Sequence, residues 1–460
     1  MADVRPFTGL RYDLARFGGV QTMSQLIAPP YDVINLDKRA ALVAANPYNA
    51  VQLELPQGED RYNEAARLLH EWVAAGVLVQ DRQPAFYVYD EEFDVPKPGD
   101  PKLKRRAIFA AVRLYDWAEN VIMPHESTMT GPKADRLALL QATRANLSPI
   151  FSVYDDADGS ISQAISHGYT AYLQGTSSLG DVDASPDTGT VSTVQPGFAF
   201  VDPDGNNCLL TPIDAPEVVA AISAAFSGKR LYIADGHHRY ETALNYRNEQ
   251  RAKNRGRDAG EAADFVLMAL TAINDPGLLV LPTHRVITEL STNDRATLNA
   301  HLAEHFTIVH YPQGDKPDQT ISQLMVEHKD DGHIFGAYGL ERGSVSLLRL
   351  TGPDAMAGSD DHSAAWRELD VAILEKVILQ DVLGITEQKL AAGQGIVYIK
   401  DMVEAVEMVD ADTAQLAFFL LPTPVTAVLA IADAHDRMPR KSTFFIPKLP
   451  TGVVLRSLDP

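Results

Sequence analysis

Ile233-Ala-Asp-Gly-His-His-Arg-Tyr-Glu-Thr242 joins two kinds of hydrophobic periodicity. Before it, Arg230-Leu-Tyr-Ile-Ala234 has the apolar run of a β-strand. After it, Tyr240, Ala243 and Leu244 recur at i, i+3 and i+4, the spacing of one buried helical face. Asp235 and Gly236 therefore fall at a strand-to-helix junction. A helix start offers backbone N–H groups without intrahelical partners, at the positive end of the helix dipole. A glycine there lets an anion come close to the backbone, and an arginine with two histidines adds charge-assisted donors. The pattern predicts a phosphate cradle. Gly236, His238 and Arg239 would hold phosphate oxygens, and Asp235 would act as a base or a Mg²⁺ ligand. His237 would shuttle protons near neutral pH. Asp-Gly is also an ordinary turn pair, and buried histidines are often satisfied core groups. Five consecutive residues holding an acid, a glycine, two histidines and an arginine favour a site.

Composition narrows the classes of function. The 460 residues can bury large cores, and 45% hydrophobic with 22% charged is the balance of a globular protein. A formal charge of −21, from 40 basic and 61 acidic residues, argues against a DNA-binding surface. A basic pocket inside so acidic a shell suits a small anionic molecule or nucleotide. Cys208 is the single cysteine, so no intrachain disulfide and no multi-cysteine metal cluster can form. That usage fits a reducing cytoplasm. Met1-Ala-Asp-Val-Arg-Pro-Phe7 has no apolar signal core. The most lipid-like stretch, Leu416 to Ala432, is broken by Pro422 and Pro424 and reads as buried strands rather than a membrane span.

Outward from the central motif, the chain reads as mixed helix and sheet in three regions, 1–174, 175–290 and 291–460. In Leu26-Ile-Ala-Pro-Pro-Tyr-Asp-Val-Ile34 two prolines fix an extended backbone and set Tyr31 and Asp32 in place, as a rigid entry loop or as a substrate-binding wall. Ala50–Leu55 looks strand-like, Tyr62–Leu78 helical, and Phe86–Asp90 and Arg106–Arg113 are strands about a turn at Pro96–Lys102. A second polar cluster follows, Pro124-His-Glu-Ser-Thr128 and Gly131-Pro-Lys-Ala-Asp-Arg-Leu137. Capping explains Asp135 there. It does not explain His125, Glu126, Thr128, Lys133 and Arg136 in so short a span. Lys133 and Arg136 suit phosphate, and Glu126 or His125 a base; a solvated face is the alternative. The second histidine of a zinc helix, H-E-x-x-H, is missing.

Residues 175–207 read as a surface excursion closing in a hairpin near Val201–Asn206, and Pro216–Phe226 as a helix. Phe265–Ile273 is short and continuously apolar, as a buried strand would be. The returning Leu278–Val286 carries His284 and Arg285 near its end, as substrate-binding residues or as a surface ion pair. Glu368 to Leu383 has the spacing of an amphipathic helix. A third cluster lies in Met438–Gly452, where Arg440, Lys441, Ser442, Thr443 and Lys448 put cationic and hydroxyl donors on a proline-bounded loop.

Five motifs in order carry a resemblance: Ala28-Pro-Pro-Tyr-Asp-Val-Ile34, His125-Glu-x-Thr128 with Lys133-x-Asp-Arg136, Ala234-Asp-Gly-His-His-Arg-Tyr240, Leu281-Pro-Thr-His-Arg285 and Pro439-x-Lys-Ser-Thr443. Together they resemble the DUF1015 family of uncharacterised proteins along nearly the whole chain. Asp235-Gly-His-His-Arg239 is similar to the phosphate-binding box of the ParB/sulfiredoxin superfamily, which includes free-serine kinases. This resemblance implies an α+β fold with a ParB/sulfiredoxin-like core, and nucleotide phosphates held at Gly236, His237, His238 and Arg239. Sulfiredoxins carry a reactive cysteine where His237 stands. Partition proteins pair the box with a DNA-reading region and basic surface, which this acidic chain lacks. The small-molecule kinases match best.

The expected function is phosphoryl transfer or removal on a small metabolite, with ATP, ADP or CTP and Mg²⁺. Catalysis would fall to Glu126, Asp235 and His237. The cofactor would be held by Gly236, His238, Arg239, Lys133, Arg136, Lys441, Ser442 and Thr443. Tyr31, Asp32, His125, His284 and Arg285 would contact substrate. A non-catalytic nucleotide sensor is the alternative. A metal-dependent hydrolase using His125, His237, His238 and His284 is a third reading.

Overall fold

The computed structural model describes residues 1–95, 101–126, 130–177, 197–253, 261–352 and 355–459. Thr128, the Pro96–Asp100 turn, most of the 175–207 excursion and residues 254–260 lie outside them. The fold is α+β. Its contacts gather into two compact units. The first is Met1–Pro124, Thr128–Leu279 and Pro447–Pro460, and the second His125–Ser127 and Val280–Ile446.

The first unit is built on a nine-stranded mixed sheet. Its order is Ile122–Met123, Leu231–Asp235, Ile150–Tyr154, Phe265–Ala272, Leu103–Arg113, Phe86–Phe93, Asn207–Ile213 and Phe198–Val201, with Val4–Arg5 added along Leu103–Arg113. Phe265–Ala272 is buried along its whole length, as its continuous apolar run requires, between a parallel and an antiparallel neighbour. Strand alternation then sorts the side chains. Phe86, Val88, Ile108, Ala110, Val112, Met268 and Leu270 enter one core, which the helices Pro216–Phe226 and His237–Lys253 cover with Ile222, Phe226, Tyr240 and Leu244. A fully buried side chain of this size contributes about 1.5–3 kcal/mol. The opposite face receives Tyr89, Glu91, Arg105 and Phe109, and is partly polar.

The second unit holds a six-stranded antiparallel sheet in the order Phe306–Pro312, Ser344–Leu350, Ile334–Tyr338, Leu416–Phe419, His284–Ile287, Ile396–Ile399. Both faces are covered. Phe335, Leu348 and Phe418 pack to one side, and Ile334, Val345 and Phe419 to the other.

Local departures from the sequence reading have local causes. Ala50–Leu55 is not a strand but contains a helical turn, Val51–Glu54. Asn49 imposes it, accepting from Val51 N at 2.9 Å while its amide donates to Gln25 O and Ile27 O. Tyr31–Val33 is a 3₁₀ turn rather than extended chain. The second half of Leu416–Ala432 is the helix Val425–Asp433, not a strand. Val428, Ile431 and Ala432 line its buried face, and Pro424 precedes it. Glu368–Leu383 is helical but changes register, running from Asp370–Ile373 into a π-helical stretch, Leu374–Val382. Among the described residues no helix is long and apolar enough to cross a membrane.

Candidate functional site

The central motif is a strand-to-helix junction in the first unit. Leu231–Asp235 pairs antiparallel with Ile150–Tyr154, and the register shifts between Ile233 and Asp235. That irregularity turns the strand end as it delivers Asp235. Gly236 follows with φ +98°, a left-handed conformation costly for any residue with a Cβ, and the helix His237–Lys253 begins at once. The group lying over Gly236 is the guanidinium of Arg239. A Cβ built on the glycine would meet its Nε at 3.0 Å and its Nη2 at 3.1 Å.

Asp235 is clamped from two sides. Arg239 Nη2 donates to it at 2.9 Å and Lys448 Nζ at 3.1 Å. Burial alone would raise this carboxyl. Lys448, Arg239 and His237 instead hold it well below the usual carboxylate range. Arg239 Nη1 also donates to Pro149 O. Its Nε is buried without a hydrogen-bond acceptor among the described residues, as is Thr242 Oγ1. Both side chains line a cavity of about 60 Å³ together with Glu54, Arg136 and Ser148. That is room for about two waters, which would satisfy these groups.

Tyr31, Asp32, Lys133 and Arg136 belong to the same neighbourhood. Arg136 lies 4.6 Å over the Tyr31 ring and donates to Glu54 O at 2.8 Å and to Glu54 Oε1 at 3.3 Å. Lys133 forms an ion pair with Glu241. His238 is half-buried, and burial lowers its pKa against the pull of Glu241, so it stays neutral at pH 7. His237 is buried at the first position of the helix. The first unit thus gathers nine of the expected residues around one helical turn: Tyr31, Asp32, Lys133, Arg136, Asp235, Gly236, His237, His238 and Arg239. Four further participants, Lys448, Glu54, Asp135 and Glu241, complete its ion pairs. Lys448 stands 213 positions from Asp235, a separation with no periodicity to betray it.

His125, Glu126, His284, Arg285, Lys441, Ser442 and Thr443 belong to the second unit. Glu126 bridges Met438 in parallel, and His125 O accepts from Met438 N at 2.8 Å. His125 Nε2 lies 3.2 Å from Thr443 Oγ1. Within the second unit, His125 and Glu126 of the second polar cluster therefore meet Met438 and Thr443 of the third. Ser442 spends its hydroxyl on Pro439 O, while Lys441 is exposed at φ +57°. Arg285 is wholly buried and not in a surface ion pair. It lies 4.7 Å over Tyr398, and its Nη2 reaches Arg440 O at 3.4 Å and Lys441 O at 3.3 Å. Burial lowers it to about 10. His284 is also buried, with its Nδ1 accepting from Leu420 N at 3.3 Å, and burial lowers it to about 3. It is a neutral core histidine. Within each unit, no group of three candidate metal ligands among the described residues includes any of these histidines.

The model of a family described as "Protein of unknown function (DUF1015)" matches residues 4–372. No curated protein matches the chain. Among solved structures, a free serine kinase in complex with AMP is similar with TM-score 0.34 and 11% identity, over 77% of this chain and 92% of that one. A mutant of such a kinase in complex with ADP gives 0.34 and 12%, over 77% and 92%. A conserved hypothetical protein from Pyrococcus furiosus gives 0.33 and 12%, over 75% and 93%.

Proposed function

The chain belongs to the DUF1015 family, and on that premise we propose that the opening turn of the His237–Lys253 helix binds a magnesium–nucleotide for phosphoryl transfer or removal on a small metabolite. One observation carries this reading. Every cation around the turn is already matched by an acid: Arg239 and Lys448 by Asp235, Lys133 by Glu241, Arg136 by Glu54 and Asp135. The pairs at Asp235 and Glu241 are 13–24% exposed, shielded enough to be costly to break one-sidedly. A bare anion would take the cations and strand the carboxylates. A magnesium–nucleotide carries both signs, so phosphate oxygens meet Arg239, Lys448 and Lys133 while Asp235 and Glu241 serve the ion. The oxygen-rich donor set is the kind Mg²⁺ takes.

Titration calorimetry with ATP, ADP and CTP, each with and without Mg²⁺, tests this. Binding should weaken at least about tenfold, ~1.4 kcal/mol, when Mg²⁺ is withheld. No heat from any of the three nucleotides at millimolar concentration removes the reading. The alternative is a nucleotide sensor. It gains support from Asp235, whose depressed pKa makes it a poor proton acceptor. Product formed over hours distinguishes enzyme from sensor.

A further inference from the structure

The polar face of the nine-stranded sheet carries a second constellation. In the strand register Arg105 faces Glu91, and Glu91 faces Cys208 on the next strand. Asp202 follows the edge strand Phe198–Val201. All four are buried: Glu91 and Arg105 are 1% exposed, Cys208 3% and Asp202 4%. Arg105 Nη2 donates to Glu91 Oε2 at 2.6 Å, and Glu91 Oε1 has no hydrogen-bond partner among the described residues. One ligand atom each from Glu91, Asp202 and Cys208 lie within 4.8 Å of one another.

Three acids thus share one guanidinium on the wall of a cavity of about 640 Å³ that Glu91, Arg105 and Cys208 line, and burial disfavours the charged form of each. We propose that Glu91 Oε1, an Asp202 carboxylate oxygen and Cys208 Sγ form a site for a divalent cation that accepts thiolate, zinc above all. The ion and Arg105 together balance three anions. Binding releases the Cys208 proton to solvent. Ligand atoms on tetrahedral zinc stand roughly 3.5 Å apart, so the site closes by about 1 Å. The outer shell is in place. Arg105 holds Glu91, the Asp202 oxygens accept from Asp204 N at 2.9 Å, Asn206 N at 2.8 Å and Asn206 Nδ2 at 2.9 Å, and Tyr89 Oη lies 3.0 Å from Cys208 Sγ. A fourth position is left for water.

The single cysteine makes the test specific. The full chain, expressed in minimal medium with cobalt, should show one bound Co²⁺ and a thiolate-to-cobalt charge-transfer band in the near ultraviolet. Expressed with zinc, it should keep one zinc through gel filtration, and Cys208→Ala and Glu91→Gln should each lose it. Wild-type protein that holds no metal from either medium overturns the site, as does cobalt bound without the thiolate band. If a variant fails to fold, the wild-type cobalt spectrum alone decides.

Discussion

His238-Arg239 and His284-Arg285 are the same pair of letters in two settings. The first opens a helix, partly exposed, with its arginine on a carboxylate. Burial pulls Arg239 down, yet Asp235 and its other neighbours carry it above its ordinary value. The second sits inside a strand with sheet on both sides. Its arginine bonds to backbone carbonyls and its histidine accepts from a backbone amide. On the function proposed above, the charges of the first pair are exchangeable for those of a ligand. Those of the second are committed to holding the Arg440–Lys441 loop. What separates them is the partner, not the residue: a carboxylate can be traded for another anion, a backbone carbonyl cannot.

The strongest way to break this contrast is acid. His284 is neutral in the fold, with its pKa pushed down to about 3, and near 6.5 when unfolded. Because the folded value is the lower one, its contribution is intact above about pH 6.5 and is lost as pH falls towards 3. The loss approaches ~5 kcal/mol at the acid end. Chemical denaturation across that range should show this slope in the wild type and a flatter one in His284→Gln. A wild-type curve flat from pH 7 to 4 would mean that His284 is not held neutral. Asp235 works in the same direction at lower pH. Its folded pKa is depressed, so its stabilisation is full above the ordinary carboxylate value and fades only below it.

Next in size is Arg285→Met, which strands the buried Thr283 carbonyl and removes the donor to the Arg440 and Lys441 carbonyls. We expect a loss of about 3 kcal/mol in stability, with nucleotide affinity unchanged in the folded fraction. Arg239→Ala should do the reverse, weakening nucleotide binding by about 1.5–3 kcal/mol in calorimetry while the melting profile moves less than that of Arg285→Met. If Arg239→Ala unfolds the protein, the two pairs are alike after all. The smallest effect belongs to Gly236→Ala. The left-handed backbone and the guanidinium 3.0 Å away should cost about 1–2 kcal/mol by thermal denaturation.

Much of this architecture can be read from periodicity. The junction at Asp235, the helix Pro216–Phe226 and the buried strand at Phe265 all follow from the spacing of apolar residues, because burial is what fixes them. Where side-chain bonds fix the backbone, periodicity misleads: Asn49 turns an alternating stretch into helix. The candidate site divides in the same way. Its own turn is contiguous and visible. The partners that set its charge state, Lys448 and Glu54, arrive through the fold from distant positions. His284 and Arg285 read as site residues because sequence shows chemical type but not depth.

The first unit is discontinuous, since residues 280–446 intervene before Pro447–Pro460 returns to it. That return brings Lys448 to Asp235. It also brings buried Arg456 to Phe265 O at 2.9 Å and Ala262 O at 2.8 Å, and a short strand that pairs with Ala145–Asn146. On the ribosome, the unit begun first is therefore completed only after the whole of the other has been translated. Until then Asp235 and Arg239 face each other without their lysine.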